Sequence, residues 1–240
     1  MPSRNGAAAA DMVASGMTGI DDVFSGDRNL FFAFGPKSKP DEFARGLGEV
    51  YEVVNTNIKR WTVGSPIQAP LDSLFELIKS HKFKADDVEK VVVRISHQGR
   101  RTVNDRSMPD INLQYMIAVM LIDGTASLEA AHDFKRMQDP KVLEIKKRVE
   151  LIGDDDLERA LPSRQAIVEV TLRDGRVLRH HTKEVRGTSA NPMTREEVGE
   201  KPFDLCAPIL GKKRAHELVE AVWRIEKVGN VRSLRHLLQA

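Results

Sequence analysis

The residues best suited to chemistry in this chain are polar side chains that border apolar segments, and Lys59 is the first of them. It lies in NIKRWTVGSPIQAP (57–70), where we expect a strand to give way to an irregular loop. A lysine there supplies a point charge for a di- or tricarboxylate, and it can stabilise the charge that develops when a proton α to a carboxylate leaves. Gln68, in the same stretch, can orient such a ligand through hydrogen bonds. The alternative for Lys59 is a solvated lysine at the end of a strand.

Tyr115 is the second candidate, and it lies in the apolar run SMPDINLQYMIAVMLIDG (107–124). Because this run is almost uncharged, it predicts a helix over 110–122 that is buried on nearly all sides. A tyrosine hydroxyl in an apolar wall can donate a hydrogen bond to a substrate carboxylate. The alternative is a core aromatic whose hydroxyl bonds to the backbone.

Basic residues in the preceding segment could also gather an anion, because guanidinium pairs well with carboxylate. These are Arg100, Arg101 and Arg106, in the predicted loop over 97–109. We prefer the alternative that this loop is a solvated face.

No spacing of histidine, cysteine and carboxylate residues in the chain predicts a metal site. His180 and His181 are adjacent, so on a strand they point to opposite faces and cannot easily chelate one ion. The acidic run 154–156 lacks the spacing of an EF-hand and is interpreted as a polar loop. We therefore expect no metal ion, and the sequence also has no phosphate-binding glycine loop, nucleophile elbow or Rossmann fingerprint.

Composition describes a globular protein, because 41% of the residues are hydrophobic and 30% are charged. The net charge of +2 is close to balanced, and the basic cluster at 212–214 lacks interleaved aromatics, so neither nucleic acid nor an anionic membrane is expected as a partner. No apolar run reaches the roughly eighteen residues of a membrane span. The single cysteine, Cys206, fits a reducing compartment, and we expect the cytoplasm.

The elements that would position these residues include both strands and helices. Alternating apolar residues predict strands, and Asp174-Gly175 predicts a tight hairpin turn between two of them. Apolar residues three and four apart predict helices, and Thr194 with Glu197 predicts a capping box at the start of another. We predict strands over 51–58, 90–97, 165–172 and 176–183, and helices over 5–15, 41–48, 70–81, 110–122, 127–134, 140–148, 216–227 and 233–238.

The order of helices, then mixed elements, then helices predicts an α+β fold in which two helical flanks surround a mixed insert. The opening helices are short and rich in phenylalanine, and they are too few to shield one another, so they need a larger partner surface. These phenylalanines are Phe24, Phe31, Phe32, Phe34 and Phe43.

Two segments, SMPDINLQYMIAVMLIDG (107–124) and VRGTSANPMTREEV (185–198), resemble the MmgE/PrpD family. Its members include 2-methylcitrate dehydratase, cis-aconitate decarboxylase and iminodisuccinate epimerase. The resemblance covers the whole chain but only about the C-terminal half of the family's length. It implies an α+β lid domain inserted between helical segments of an otherwise missing all-α domain. On that resemblance residues 1–56 are a remnant of the N-terminal helical domain, 57–190 are the lid, and 191–240 return to the helical domain.

The resemblance also gives the candidate residues their roles. The family has a lysine at the position of Lys59 that is thought to contact the substrate's carboxylates, and a tyrosine facing the pocket at the position of Tyr115. Several members carry a histidine in the loop after the lysine, where this chain has 64–68. Gln68 cannot shuttle protons near neutral pH, so it does not supply an acid/base group in this loop, although it can still orient substrate. The family is regarded as cofactor-independent, so the resemblance implies that no cofactor is needed.

The function that the resemblance implies is a hydro-lyase acting on a di- or tricarboxylic acid, as 2-methylcitrate dehydratase does. Decarboxylation and epimerisation are alternatives within the family. Because the family's N-terminal aspartate and histidines have no counterpart here, we expect a C-terminal portion that is inactive alone and works with a separate N-terminal half chain, as a homodimer. The chain could instead be complete, with its opening helices packed onto the lid, or it could be a non-catalytic dimerisation or interaction module. A C-terminal portion should expose apolar surface and self-associate.

Overall fold

The computed structural model describes residues 2–35 and 37–239, and the chain forms two compact units, Met1–Glu52 and Val53–Ala240. The first unit contains the short helices α1 (Pro2–Ala14), α2 (Leu30–Phe34) and α3 (Pro40–Ala44). Within residues 3–35 and 37–52, no side chain is buried. Three phenylalanine rings of this unit cluster with centroids 5.6–5.9 Å apart, yet Phe34 remains 85% exposed. The prediction that these helices do not shield one another is confirmed.

The second unit is built on a four-stranded mixed sheet, and the predicted α+β class is confirmed. The strands are β1 (Val88–Ile95), β2 (Val149–Gly153), β3 (Ala166–Leu172) and β4 (Val177–Thr182), in the order β2-β1-β3-β4. The β1–β2 pair is parallel and the other two pairs are antiparallel. The helices are α4 (Ser65–His81), α5 (His97–Val103), α6 (Leu113–Asp123), α7 (Pro140–Lys146), α8 (Asp155–Arg159), α9 (Arg195–Leu210) and α10 (Lys212–Val222).

The core of this unit lies between the sheet and the helices α4 and α6. Helix α4 packs on β3 and β4, and α6 packs on α4, α7 and β2. Residues 113–121 of α6 are all buried, because the helix is apolar around its whole circumference, as predicted. Alternate residues of β1 and β3 point into the same core, so the alternation in the sequence predicted their inward faces correctly.

Hydrogen bonds at the turns confirm two further predictions. Gly175 turns the β3–β4 hairpin with φ of +88°, and the hydroxyl of Thr194 accepts from the backbone of Glu197 while that carboxylate accepts from Thr194 N–H, which closes the capping box of α9. Helix α10 begins at Lys212, earlier than predicted, and Val222 at its end is 53% exposed. Within residues 2–35 and 37–239, every helix is too short or too polar to cross a bilayer.

Several local predictions were wrong. Residues 51–58 are not a strand, since only a 3-10 turn (Glu52–Asn55) forms there. The expected loop over 59–70 is already helical from Ser65, because Pro66 lies in the first turn, where no N–H donor is needed. The expected loop at 97–109 contains α5, and the acidic run 154–156 caps and begins α8. Strand β2 was missed, since its alternation spans only five residues and its place is set by pairing with β1.

Candidate functional site

Gln68 fixes the loop that follows Lys59 through hydrogen bonds to its backbone. The Gln68 side chain is 3% exposed, its amide nitrogen donates to the Trp61 and Val63 carbonyls at 2.8 and 3.1 Å, and its amide oxygen accepts from Trp61 N–H at 3.2 Å. Gln68 therefore uses most of its bonding capacity to fix the backbone of 61–63. In this structure its contacts are those of a residue that shapes the loop, and its role in orienting substrate stays a prediction.

Two lysine side chains converge on the same loop. The Lys59 ammonium donates to the Val63 carbonyl at 3.2 Å, and the Lys201 ammonium, from α9, donates to the carbonyl of Lys59. None of the ion pairs within residues 2–35 and 37–239 involves either lysine. Burial lowers the pKa of Lys201, and the nearby charge of Lys59 lowers it further. Since an ammonium has three donors, each lysine keeps two for an anion.

The backbone before Lys59 is fixed by a glycine in the VRGTSANPMTREEV segment. The Ile58 N–H donates to the Gly187 carbonyl at 2.7 Å, and Gly187 has φ of +95°. A Cβ at Gly187 would lie 1.8 Å from the Ile58 carbonyl oxygen, so only glycine fits. This contact ties residues far apart in sequence, and it positions the residue that precedes Lys59.

The neighbouring Arg186 is the centre of a hydrogen-bond network that sequence reasoning missed. Its guanidinium bonds both carboxylate oxygens of Glu197 and, at 2.8 Å, the side-chain oxygen of Asn191. Its backbone N–H donates to the Asp72 carboxylate at 2.9 Å. Asp72 is 6% exposed, and burial raises its pKa even though two hydrogen bonds lower it. The only indication in the sequence is that Arg186 and Glu197 both lie in VRGTSANPMTREEV (185–198).

Tyr115 lies in the core. Its side chain is fully buried, its hydroxyl donates to the Ala130 carbonyl at 2.7 Å, and burial raises its pKa to about 12. These contacts are those of a core aromatic with a backbone partner. A role in binding carboxylate stays a prediction, and it would require the hydroxyl to leave Ala130.

A polar groove of about 490 Å³ lies beside α4, β4 and the start of α9, and it contains none of the three predicted site residues. Burial lowers the pKa of His181 in this groove, and the charges of Lys183 and Arg179 lower it further. The groove is lined by Arg60, Asp72, Phe75, Glu76, Lys79, His180, His181, Thr182, Lys183, Glu184, Arg186, Asn191 and Glu197.

The remaining candidates do not form a site. Arg100 donates to the Leu151 carbonyl at 3.2 Å, and Arg106 donates to the carbonyls of Arg101 and Thr102, so these guanidinium groups bind backbone. In the part of the chain that the structure describes, no three side chains of histidine, cysteine or acidic residues are grouped to hold a metal ion.

Comparison with known proteins gives a family match. The family model described as MmgE/PrpD C-terminal domain matches residues 61–226. That range includes the sheet, α4 to α10 and the segment with Gly187, and it begins two residues after Lys59. No curated protein matches the chain.

Proposed function

The chain belongs to the MmgE/PrpD family through its C-terminal domain, and on that premise we propose that it is part of a hydro-lyase acting on a di- or tricarboxylic acid. The proposal depends on one observation, the convergence of the Lys59 and Lys201 ammonium groups on one loop, with no ion pair from either lysine to a carboxylate of residues 2–35 and 37–239. Two adjacent cations with spare donors favour a ligand that carries more than one carboxylate.

The reaction assigns the two lysines an electrostatic role. A base removes the proton α to a substrate carboxylate, an acid protonates the departing hydroxyl, and water leaves as the carbon–carbon double bond forms. Negative charge develops on the carboxylate while the proton leaves, and Lys59 and Lys201 stabilise that charge. Gln68 supports this role by fixing the carbonyl to which Lys59 is bonded.

We further propose that the base and the acid belong to a helical domain outside residues 1–240, on a separate N-terminal half chain. In that arrangement residues 1–56 and 191–240 are helical-domain segments and 57–190 are the lid. The exposed phenylalanines near the N-terminus and the exposed Val222 and Ile225 support a helical partner surface. The same exposure also favours a second candidate function, a non-catalytic module whose helices mediate dimerisation. Epimerisation would use the same lysines and return a proton to the opposite face of the α-carbanion. Decarboxylation would instead form a carbanion by breaking the bond to a carboxylate, with release of CO2, and an acid would then protonate that carbon.

The test is dehydration of citrate or 2-methylcitrate, followed through the ultraviolet absorption of the new conjugated double bond. The chain alone should be inactive, and mixing it with a family N-terminal helical half should restore turnover. Lys59→Gln in the mixture should lower kcat by about 100-fold or more, a loss typical of removing one transition-state donor. Lys213→Gln, an exposed charge on α10, is the matched control and should change little. Robust turnover by the chain alone would contradict the divided site, and full activity of Lys59→Gln would contradict the role of the lysine pair.

A further inference from the structure

Arg60 holds its guanidinium over two aromatic rings at the edge of the polar groove. Its Cζ lies 4.6 Å from the centre of the Trp61 ring and 4.2 Å from that of Phe75. The two rings themselves are 5.7 Å apart and tilted by 59°. Such stacking fixes the plane of a guanidinium without using its N–H groups.

The residues that support Arg60 are held in place by hydrogen bonds to one another. Trp61 is 6% exposed, and its indole N–H donates to the Asp72 carboxylate at 2.9 Å. The other oxygen of that carboxylate accepts from the backbone of Arg186, and Gln68 holds the backbone of Trp61. The side chain of Arg60 is therefore oriented before any ligand arrives, which reduces the entropy lost on binding.

The Arg60 guanidinium has unused hydrogen-bonding capacity. It makes no hydrogen bond or salt bridge with residues 2–35 and 37–239, although its charge acts at longer range to lower the pKa of the Asp72 and Glu197 carboxyls. Its five N–H donors are therefore available in a groove of about 490 Å³. The carboxylates nearest in the network are already engaged, since Asp72 accepts from Trp61 and Arg186, and Glu197 pairs with Arg186.

The charge of the groove limits the kind of anion that fits. Its basic residues other than histidine are Arg60, Lys79, Lys183 and Arg186, and its acidic residues are Asp72, Glu76, Glu184 and Glu197. Because these formal charges balance, the groove has no field that would favour a polyanion such as nucleic acid. Recognition therefore depends on the parallel N–H groups of one oriented guanidinium. A carboxylate can accept two hydrogen bonds from such a pair of N–H groups.

We propose that this groove binds a small mono- or dicarboxylate, with one carboxylate group paired in bidentate fashion to Arg60. Lys183 and Lys79, which are exposed at the groove, add a weaker attraction for the remainder of the ligand. The site includes neither Lys59 nor Lys201, and it does not require the proposed lyase activity.

The two tryptophans of the chain provide the test and its internal control. In the ¹⁵N-labelled full chain, the indole N–H signal of Trp61 reports on Arg60. The indole signal of Trp223 reports on Arg195, whose Cζ lies 4.6 Å from the Trp223 ring. Assignment comes from Trp223→Phe. Succinate titration should shift the Trp61 signal saturably and leave the Trp223 signal in place.

Variants identify the group that binds. Arg60→Lys keeps the positive charge but cannot form the bidentate pair of hydrogen bonds, so it should weaken succinate binding by about tenfold or more. Arg60→Gln should abolish the titration, and Lys183→Gln should weaken it about two- to threefold. Arg235→Gln removes an exposed positive charge away from the groove lining and should leave the affinity unchanged.

Several results would overturn the proposal. These are no saturable Trp61 shift, parallel shifts of both indole signals, or an unchanged affinity in Arg60→Lys with its dispersed spectrum preserved. Lys59→Gln should leave the Trp61 titration intact. Failure of the groove site is therefore distinguishable from failure of the proposed lyase role, which is measured by turnover.

Discussion

Replacing Gly187 with alanine should destabilise the protein far more than the same change at Gly175. Both glycines have a similar positive φ, +95° at Gly187 and +88° at Gly175. A Cβ at Gly187 would lie 1.8 Å from the Ile58 carbonyl oxygen, whereas a Cβ at Gly175 would meet no atom of the described residues within 4 Å. Gly175→Ala therefore measures the backbone strain alone, and Gly187→Ala adds the collision.

The expected magnitudes follow from these differences. A left-handed backbone costs alanine about 1–2 kcal/mol, of which a more restricted unfolded chain offsets about 0.4–1 kcal/mol. Gly175→Ala should therefore lower the free energy of unfolding by about 1 kcal/mol. At Gly187, overpacking adds about 1–3 kcal/mol, and losing the 2.7 Å bond from Ile58 N–H adds about 1 kcal/mol. The total loss at Gly187 is about 3–5 kcal/mol.

Urea unfolding followed by circular dichroism measures both variants against the unsubstituted chain. Because Ile58 precedes Lys59, the displacement at Gly187 should also move the lysine pair and weaken carboxylate binding, while Gly175→Ala should leave it unchanged. Equal destabilisation by the two substitutions would refute the reasoning, since it would mean that the contact between residues 58 and 187 contributes nothing.

Three more substitutions test individual contacts. Tyr115→Phe should lower the free energy of unfolding by about 1–2 kcal/mol, because the buried Ala130 carbonyl loses its 2.7 Å donor; a loss of carboxylate affinity at unchanged stability would favour the substrate role instead. Thr62→Val should raise the free energy of unfolding by about 1 kcal/mol in the same urea assay, since the buried Thr62 hydroxyl has no hydrogen-bond partner among the residues that the structure describes; a lower stability would show that the hydroxyl is satisfied. Burial lowers the pKa of His181 below 6.5 in the folded chain, and the charges of Lys183 and Arg179 lower it further. The neutral imidazole therefore contributes stability above pH 6.5, and this contribution is lost as the pH falls through the folded pKa. The unsubstituted chain should accordingly lose more stability than His181→Gln on acidification below pH 6.5, and parallel pH curves would contradict this.

The elements that the sequence predicted well are those whose pattern is local. Helix α6 is apolar all round, and β3 alternates over its whole length with a glycine turn after it, so burial and direction follow from the residues themselves. Strand β2 could not be predicted in this way, because five residues become a strand only when β1 lies beside them. The strand predicted over 51–58 failed for the opposite reason. Val53 and Val54 favour a strand, but each is 74% exposed, and no strand within 2–35 and 37–239 pairs with them.

The candidate site was harder to predict from the sequence, because its contacts join residues that are far apart along the chain. Lys59 was predicted from its segment, but its neighbour Lys201 lies 142 positions away in the sequence, and only the fold brings them together. The Arg186 network likewise joins Asp72 to a segment 114 positions later. Gln68 and Tyr115 are polar residues at apolar boundaries, and their buried partners are backbone groups that no residue pattern reveals.

The most direct measurement of the lysine pair is the titration of Lys201 in chains labelled with ¹³C at lysine Cε, with and without citrate. Burial and the charge of Lys59 hold the pKa of Lys201 below 10.5 in the free chain. A bound di- or tricarboxylate should raise that pKa, because an anion stabilises the charged form of the ammonium. The assignment is checked with Lys201→Gln. An upward shift of the Lys201 titration at saturating citrate is the result we predict, and a Lys201 signal that responds to citrate no more than that of the exposed Lys213 would contradict the account.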